Sequence, residues 1–343
     1  MRPVRVCIYG GTDLQGAPPL FISALAKEFL REMNPCVIVT GGYKHSDKTK
    51  GAKSTDAAAL DGARAFSNNA RRSLEQCYEA WIPDPSLDRR DEDDVVRMSK
   101  SDGIAVREML NRTALGRRLA MVASVDLLVT IAGKKHTEVV VEQALELGVP
   151  VLPVPDAGGD SKTLLDTYRQ RIAGSFRRGA LDKCLKEVTS HIDDDVTTAA
   201  RAVVDLMKTA KVGKCLVLLP YDDDDDYKGR YSRYIEPAIE EHMIPDRLDL
   251  SPKSEVIHTN FIDSVRSAAA VIADVTIDNF NVMYEIGFAR AHGLTPLLFT
   301  LKERKPEDMP TYIRSMNVRT TSEEDLPDLI DDYLRNIKKI RKA

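Results

Sequence analysis

The sequence predicts an α/β protein of two Rossmann-like, doubly wound domains with mainly parallel sheets. Three observations predict this. Short apolar runs alternate with amphipathic helical stretches along most of the chain. Several of these runs end in glycines or polar residues followed by helix-start signals. The alternation lapses over 163–211 and then restarts near Lys214. A length of 343 residues suits two domains of ordinary size, placed at 1–210 and 211–343.

The elements follow in order. Val4–Gly11, "VRVCIYGG", reads as a strand ending in glycines, and Pro19–Met33 has helical periodicity. Cys36–Gly42, "CVIVTGG", is again a strand running into glycines. Ser54–Phe66 opens with cap-type residues and continues as a helix. Cys77–Asp84 is a strand, and the charged run Asp88–Asp94 is a solvated loop. Ser124–Gly133 is a strand, Thr137–Gly148 a helix and Val149–Pro155 a strand. Beyond Thr163 the pattern is helical and charged up to Lys211. The second half then gives a strand from Lys214, a helix over Tyr231–Met243 and a short strand over Pro245–Ser251. A helix over Phe261–Ala269 leads into the strand "AVIADVT". The helix "NVMYEIGFARAHG" and the strand Thr295–Leu301 come next. The tail is an amphipathic helix, acidic at its start and basic at its end, as the helix dipole favours. No residue-level repeat relates the halves.

Composition narrows the function classes. A hydrophobic content of 43%, a charged content of 30% and no long apolar run predict a soluble, cytoplasmic protein with no membrane partner. The opening "MRPVRVCIYGG" enters a strand at once, so no leader is expected. A net charge of −4 with scattered lysines and arginines gives no basic stripe, and nucleic acid is not an expected partner. Five cysteines without a CxxC pair read as reduced core residues, and the six histidines show no ligand spacing, so no metal site is predicted.

In the first half, "YGGTD", "TGGY" and "IAGKKHTE" each follow a strand and would gather at the C-terminal edge of one sheet, where open α/β sheets bind ligands. Glycines let backbone N–H groups approach an anion, and a following helix N-terminus adds its positive end. Thr12, Thr40 and Thr137 add hydroxyls. Arg112 in "NRTALGRR" reads equally as an anion ligand or a surface residue.

These stretches, with "STDAAALDGA" and "DLLVTIAGKKHTEVVVEQALELGVPVLPVP", resemble a SLOG domain, in the branch fused to Sir2, TIR and related effectors. The resemblance spans about Val4 to Leu206. It implies that Gly10, Gly11, Thr12, Gly41, Gly42, Gly133, Lys134, Thr137 and Glu138 line a pocket for a nucleotide-derived ligand. The sequence departs from the family where Lys135 and His136 replace a second glycine cluster. The intact signature that lysine decarboxylase-like phosphoribohydrolases need is absent. The resemblance therefore implies a sensor rather than a catalyst.

In the second half, "VIADVTIDNFNVMYEIGFARAHG" places Glu285 in a helix just past a strand ending at Asp274. Its spacing from Val282, Phe288 and Ala289 sets it on a partly apolar face beside the crevice. There a carboxylate is costly unless hydrogen-bonded, with Asn279, Asn281 and Tyr221 as candidate partners. With "LVLLPYDDD" and "IEPAIEEHMIPDRLD", this stretch resembles the nucleoside 2-deoxyribosyltransferase-like family, whose fold is close to TIR domains. Phe280 replaces the family's usual proline. The resemblance implies that Glu285 is the nucleophile at a nucleoside's anomeric carbon. Asn279 or Asn281 would hold sugar hydroxyls, and Tyr221 would orient Glu285 or stack on the base. Asp274 would bind ribose or cap its loop, the latter preferred, and Arg230 and Arg233 would meet substrate phosphates. The acidic run Asp222–Asp226 reads as a solvated loop.

The layout implies a nucleotide-sensing effector that cleaves an N-glycosidic bond, NAD being the leading substrate, as a homo-oligomer in bacterial antiviral defence. No cofactor is required. The alternatives are a nucleoside deoxyribosyltransferase of nucleotide salvage and a non-enzymatic nucleotide-binding scaffold.

Overall fold

A computed structural model describes residues 3–46, 52–87, 95–134, 136–211, 213–220, 229–247 and 257–342. The chain divides into two compact units, Met1–Ala210 and Lys211–Arg341.

The first unit is built on a six-stranded, wholly parallel sheet. Its strands are β1 (Val4–Gly10), β2 (Cys36–Thr40), β4 (Tyr78–Pro83), β6 (Ala105–Met109), β7 (Leu127–Ile131) and β8 (Val151–Val154). Their order is β6-β4-β2-β1-β7-β8, so the winding reverses between β1 and β7. Consecutive residues Val6, Cys7 and Ile8 are all buried, because helices cover both faces of a parallel sheet. A separate antiparallel ribbon pairs β3 (Tyr43–Ser46) with β5 (Val95–Arg97).

The helices form two rows. α1 (Ala17–Glu32) packs on α2 (Thr55–Ser67) and on α8 (Val196–Lys208), which also meets α7 (Ala180–His191). α4 (Ala114–Val122), α5 (His136–Glu146) and α6 (Asp160–Gly174) form the other row, and α3 (Leu74–Cys77) is a single turn. The boundaries follow local chemistry. Ser54 caps α2 by accepting from Ala57 N at 3.0 Å, and Asp195 caps α8 by accepting from Thr198 N at 3.1 Å. Two prolines enter α1 in its first turn, where a missing N–H costs nothing.

The second unit holds a five-stranded parallel sheet of order β10-β9-β11-β12-β13. Its strands are β9 (Lys214–Leu218), β10 (Ile244–Asp246), β11 (Ala268–Asp274), β12 (Leu297–Thr300) and β13 (Val318–Thr320). The period of two along β9 builds two cores. Cys215, Val217 and Leu219 face a cluster with Tyr231, Ile235, Ile239, Leu326, Ile330 and Leu334. Leu216 and Leu218 face the other cluster, with Phe261, Val265, Val282, Met283 and Ile286. Both halves are therefore open α/β units of the kind the alternation predicts.

Some boundaries differ from the sequence expectation. The helix expected over Tyr231–Met243 is a π-helical turn, Tyr231–Ile235, followed by a short α-helix, Glu236–Glu240. The strand expected over 245–251 is Ile244–Asp246, and residues 248–251 lie outside the described set. Ala268 and Ala269 belong to β11 rather than to the preceding helix, which is Ile257–Ser267. Among the described residues, no helix is long and apolar enough to cross a membrane. The five cysteines are buried and free.

Candidate functional site

The loops after β2, β1 and β7 emerge side by side, because these strands are neighbours in the sheet. They surround a cleft of two lobes at the sheet's C-terminal edge, where the winding reverses. One lobe, about 390 Å³, lies against Gly41, Tyr43, Ser54, Asp56, Arg97 and Arg117. The other, about 420 Å³, lies against Asp13, Ala132, Gly133, Lys134, Thr137 and Gly159. Tyr9, Gly10, Gly11, Thr12, Arg118 and His136 wall both. Either lobe is in the size range of small-molecule sites.

Two glycines are required by close approach. A Cβ on Gly10 would stand 1.9 Å from the Ile131 carbonyl oxygen, so β1 and β7 meet here with no room for a side chain. A Cβ on Gly133 would stand 1.9 Å from Thr137 Oγ1, and Gly133 has φ 92°. Its predecessor Ala132 has φ 55°, a left-handed conformation that costs a non-glycine residue about 1 kcal/mol. The strained turn delivers the chain to the N-terminus of α5, whose His136 and Thr137 face the lobe.

The first lobe is electrostatically unusual. Arg117 is 3% exposed, and its Nη1 donates to the carbonyls of Gly41 at 2.6 Å and Trp81 at 3.1 Å. Burial pulls its pKa down to about 10. Asp56, 6% exposed, has its carboxyl pushed up to about 6 by burial, against the opposing pull of the Tyr43 N–H at 2.8 Å and of Arg117. Beneath it, Tyr78 Oη bonds Thr40 Oγ1 at 2.7 Å and donates to the Asp56 carbonyl at 2.8 Å. Arg97 reaches the lobe from β5, stacked 5.9 Å over the Tyr43 ring.

The structure thus gathers Gly10, Gly11, Thr12, Gly41, Gly133, Lys134 and Thr137 at one cleft. Lys134 is ion-paired with Asp13 at 3.1 Å. Four expected residues lie elsewhere. Thr40 is fully buried beneath the cleft, bonded to Tyr78. Gly42 turns away toward Ile82, and its carbonyl accepts from Met98 N at 2.8 Å. Glu138 is exposed on the first turn of α5. Arg112 is exposed ahead of Thr113, the α4 cap, where its carbonyl accepts from Asp84 N at 3.1 Å. The cations that α4 does send to the cleft are Arg117 and Arg118. Their signal was the spacing of Arg117 from Met121 on the buried face of a helix capped by Thr113. Lys135 lies outside the described residues.

In the second unit, Asp274 ends β11 next to β9, where that sheet's winding reverses. It is fully buried; its Oδ1 accepts from Thr276 N at 2.8 Å and its Oδ2 from Arg230 Nη1 at 3.3 Å. Burial raises its pKa above the usual carboxylate range, and Thr276 and Arg230 oppose the rise. Asp274 is thus a loop-capping group. Arg230, expected at substrate phosphates, pairs here with Asp274 at 3.3 Å and with Glu323 at 2.8 Å. Arg233 is exposed in the π-helical turn.

The loop beyond Asp274 is clamped. Arg304 donates to Val275 O at 2.9 Å, Asp278 Oδ1 at 3.0 Å and Asp308 O at 2.6 Å, and Leu301 N donates to Thr276 Oγ1 at 3.0 Å. Sequence reasoning missed Arg304, which lies outside every motif. The clamped loop ends at Asn279, whose Oδ1 accepts from Asn281 N at 3.0 Å and Val282 N at 3.1 Å and caps the helix Phe280–Ala291. The Asn279 side-chain oxygen thus serves the cap. Asn281 is exposed. Glu285, the sixth residue of this helix, is half-buried between exposed Tyr284 and buried Ile286. Tyr221 and Asp222–Asp226 lie outside the described residues.

No family model and no curated protein matches the chain. Solved structures similar to it at low identity include the following three. The X-ray structure of TM1055, a structural genomics target, is 14% identical with a TM-score of 0.34, over 48% of this chain and 81% of that one. The molybdenum cofactor binding protein of the phototrophic bacterium Rippkaea orientalis is 18% identical with a TM-score of 0.31, over 44% and 76%. DNA processing protein A from Helicobacter pylori, which binds single-stranded DNA, is 16% identical with a TM-score of 0.34, over 49% and 74%.

Proposed function

We propose that the first unit binds a nucleotide-derived ligand and that the second cleaves the N-glycosidic bond of a nucleotide or nucleoside, NAD being the leading substrate. The observation that carries the first part is the meeting of three strand-end loops with Arg97, Arg117 and Arg118 at one cleft. Close backbone approach, a helix N-terminus and one buried and two half-buried guanidinium groups together suit phosphate oxygens.

For the second part, the support is Glu285 on a helix that Asn279 caps and Arg304 steadies, just beyond the C-terminal end of β11. In the proposed reaction, a Glu285 carboxylate oxygen forms a bond to C1′ as the C1′–N bond breaks. The base leaves with that electron pair, nicotinamide directly as a neutral molecule and an ordinary nucleobase after taking up a proton. Water then attacks C1′ of the glycosyl ester and loses a proton, giving the base-free sugar product, ADP-ribose in the case of NAD, and regenerating the carboxylate. If a second base replaces water, the same intermediate gives a transferase. The ligand of the first unit would switch this activity within a homo-oligomer, depleting a nucleotide pool in antiviral defence.

Purified full-length protein incubated with NAD, deoxynucleosides and nucleoside monophosphates, with and without added cyclic nucleotides, tests this. Release of free base without an acceptor supports hydrolysis. Release that needs an acceptor base supports a deoxyribosyltransferase instead. Absence of turnover under every condition supports a nucleotide-binding scaffold. Glu285→Gln is expected to lower base release by at least about 10²-fold in folded protein; undiminished release would refute the role of Glu285.

A further inference from the structure

Among the described residues, two arginines lining the first lobe hold buried donors without partners. Arg117 spends Nη1 on two carbonyls, yet its Nε is buried with no hydrogen-bond partner. Arg118 lines this lobe and the second, and its Nε is also buried without one. Buried donors of charged groups are normally satisfied, and leaving one unmet costs about 1–3 kcal/mol. Arg97 adds a third guanidinium to the wall. Against them, among the described residues, the wall of this lobe carries one carboxylate, Asp56, which burial already pushes toward its neutral form.

The second lobe has different chemistry. It shares Arg118 with the first and adds the Ala132–Gly133 turn, Thr137 and the N-terminus of α5, while its one lysine is engaged with Asp13. The segment Tyr9–Thr12 stands between the lobes as their common wall. A compact diphosphate seated in the second lobe would leave Arg117 Nε unmet in the first.

We propose that the cleft takes a ribonucleotide bearing two separated phosphates, one met by Arg97 and Arg117 in the first lobe and the other by the α5 turn in the second, with Arg118 lining both and the nucleoside spanning the Tyr9–Thr12 wall. This rests on the nucleotide-binding reading of the first unit and names its ligand class.

Calorimetric titration of the full chain with adenosine 3′,5′-bisphosphate, ADP and AMP tests it. The bisphosphate is expected to bind about tenfold or more tightly than either of the others. Arg97→Ala should compress that ratio below about threefold, and Arg97→Lys should restore part of it. Circular dichroism and thermal melting check that each variant is folded. If AMP or ADP binds and the bisphosphate gains nothing over it, the two-phosphate proposal is overturned while nucleotide binding stands. The proposal also falls if Arg97→Ala leaves the ratio unchanged. If none of the three binds up to about 1 mM, the nucleotide reading falls and takes this proposal with it.

Discussion

Arg117 Nη1 donates to the carbonyl of Gly41 at 2.6 Å, joining α4 to the end of β2. The same nitrogen reaches Trp81 O at 3.1 Å, so one buried cation ties down β2 and β4 together. Arg117→Met keeps much of the volume but strands two carbonyls in a buried setting. Hydrogen bonds to charged groups contribute about 1.5–3 kcal/mol each, so the variant should lose about 3 kcal/mol. Urea unfolding should show a lower midpoint at unchanged slope. A loss under about 0.5 kcal/mol would mean that the pair is structurally idle.

Asp56 should give the first unit an inverted acid response. Its folded pKa, about 6, lies above the ordinary 3.8, so the folded state binds more protons than the unfolded state between those values. Its contribution is therefore fully present below pH 3.8 and is lost as pH rises through about 6. Asp56→Asn removes this dependence. The stability of wild type relative to Asp56→Asn should fall by about 3 kcal/mol between pH 4 and 7. An anionic ligand in the adjoining lobe favours protonated Asp56, so its affinity should weaken over the same interval. A flat difference across that range would contradict the assignment.

The Asp274–Arg230 pair makes a matching test in the second unit. Arg230→Ala leaves a fully buried carboxylate without its guanidinium partner. Breaking a buried pair from one side costs about 3–5 kcal/mol. Because the folded pKa of Asp274 is already raised, the cost should grow as pH rises and shrink in acid, where the carboxyl is neutral. Arg230→Ala/Asp274→Asn should recover most of the loss at neutral pH. Chemical denaturation of both variants at two pH values reads the effect. Equal losses for the single and double variants would sink this account.

Asn279→Ala removes the oxygen that serves two N–H groups at the start of the helix Phe280–Ala291. The expected destabilisation is about 1 kcal/mol, with Asn279→Asp close to neutral. Hydrogen exchange should accelerate at Asn281 and Val282 in Asn279→Ala. Unchanged exchange there would show that the cap does not hold the helix start.

What could be read in the sequence was whatever local chemistry imposes. The glycines after β1, β2 and β7 were visible because close backbone contact admits no other residue, and Ser54 was visible as a cap. The ribbon of β3 and β5 was not, since "YKHS" and "VVR" are short, and their pairing is set by tertiary contact rather than period. The first lobe's Arg97 was hidden with it. β6, "AVREM", sits at the sheet edge, half-exposed and carrying charges, so its apolar alternation is broken. Arg112 stood out over Arg117 by sequence, yet the cap at Thr113 turns the chain between them and sends the later arginine inward. Asp56 was read as part of a helix start, and its second role depends on Arg117, 61 positions away.

Trp81 is the chain's one tryptophan. Its indole Nε1 donates to Glu79 at 2.8 Å beneath the Arg107 guanidinium, and its carbonyl is held by Arg117 in the cleft wall. An occupant that draws on Arg117 therefore perturbs the backbone of the sole indole fluorophore, which gives this protein a native optical gauge of whether the lobe is filled.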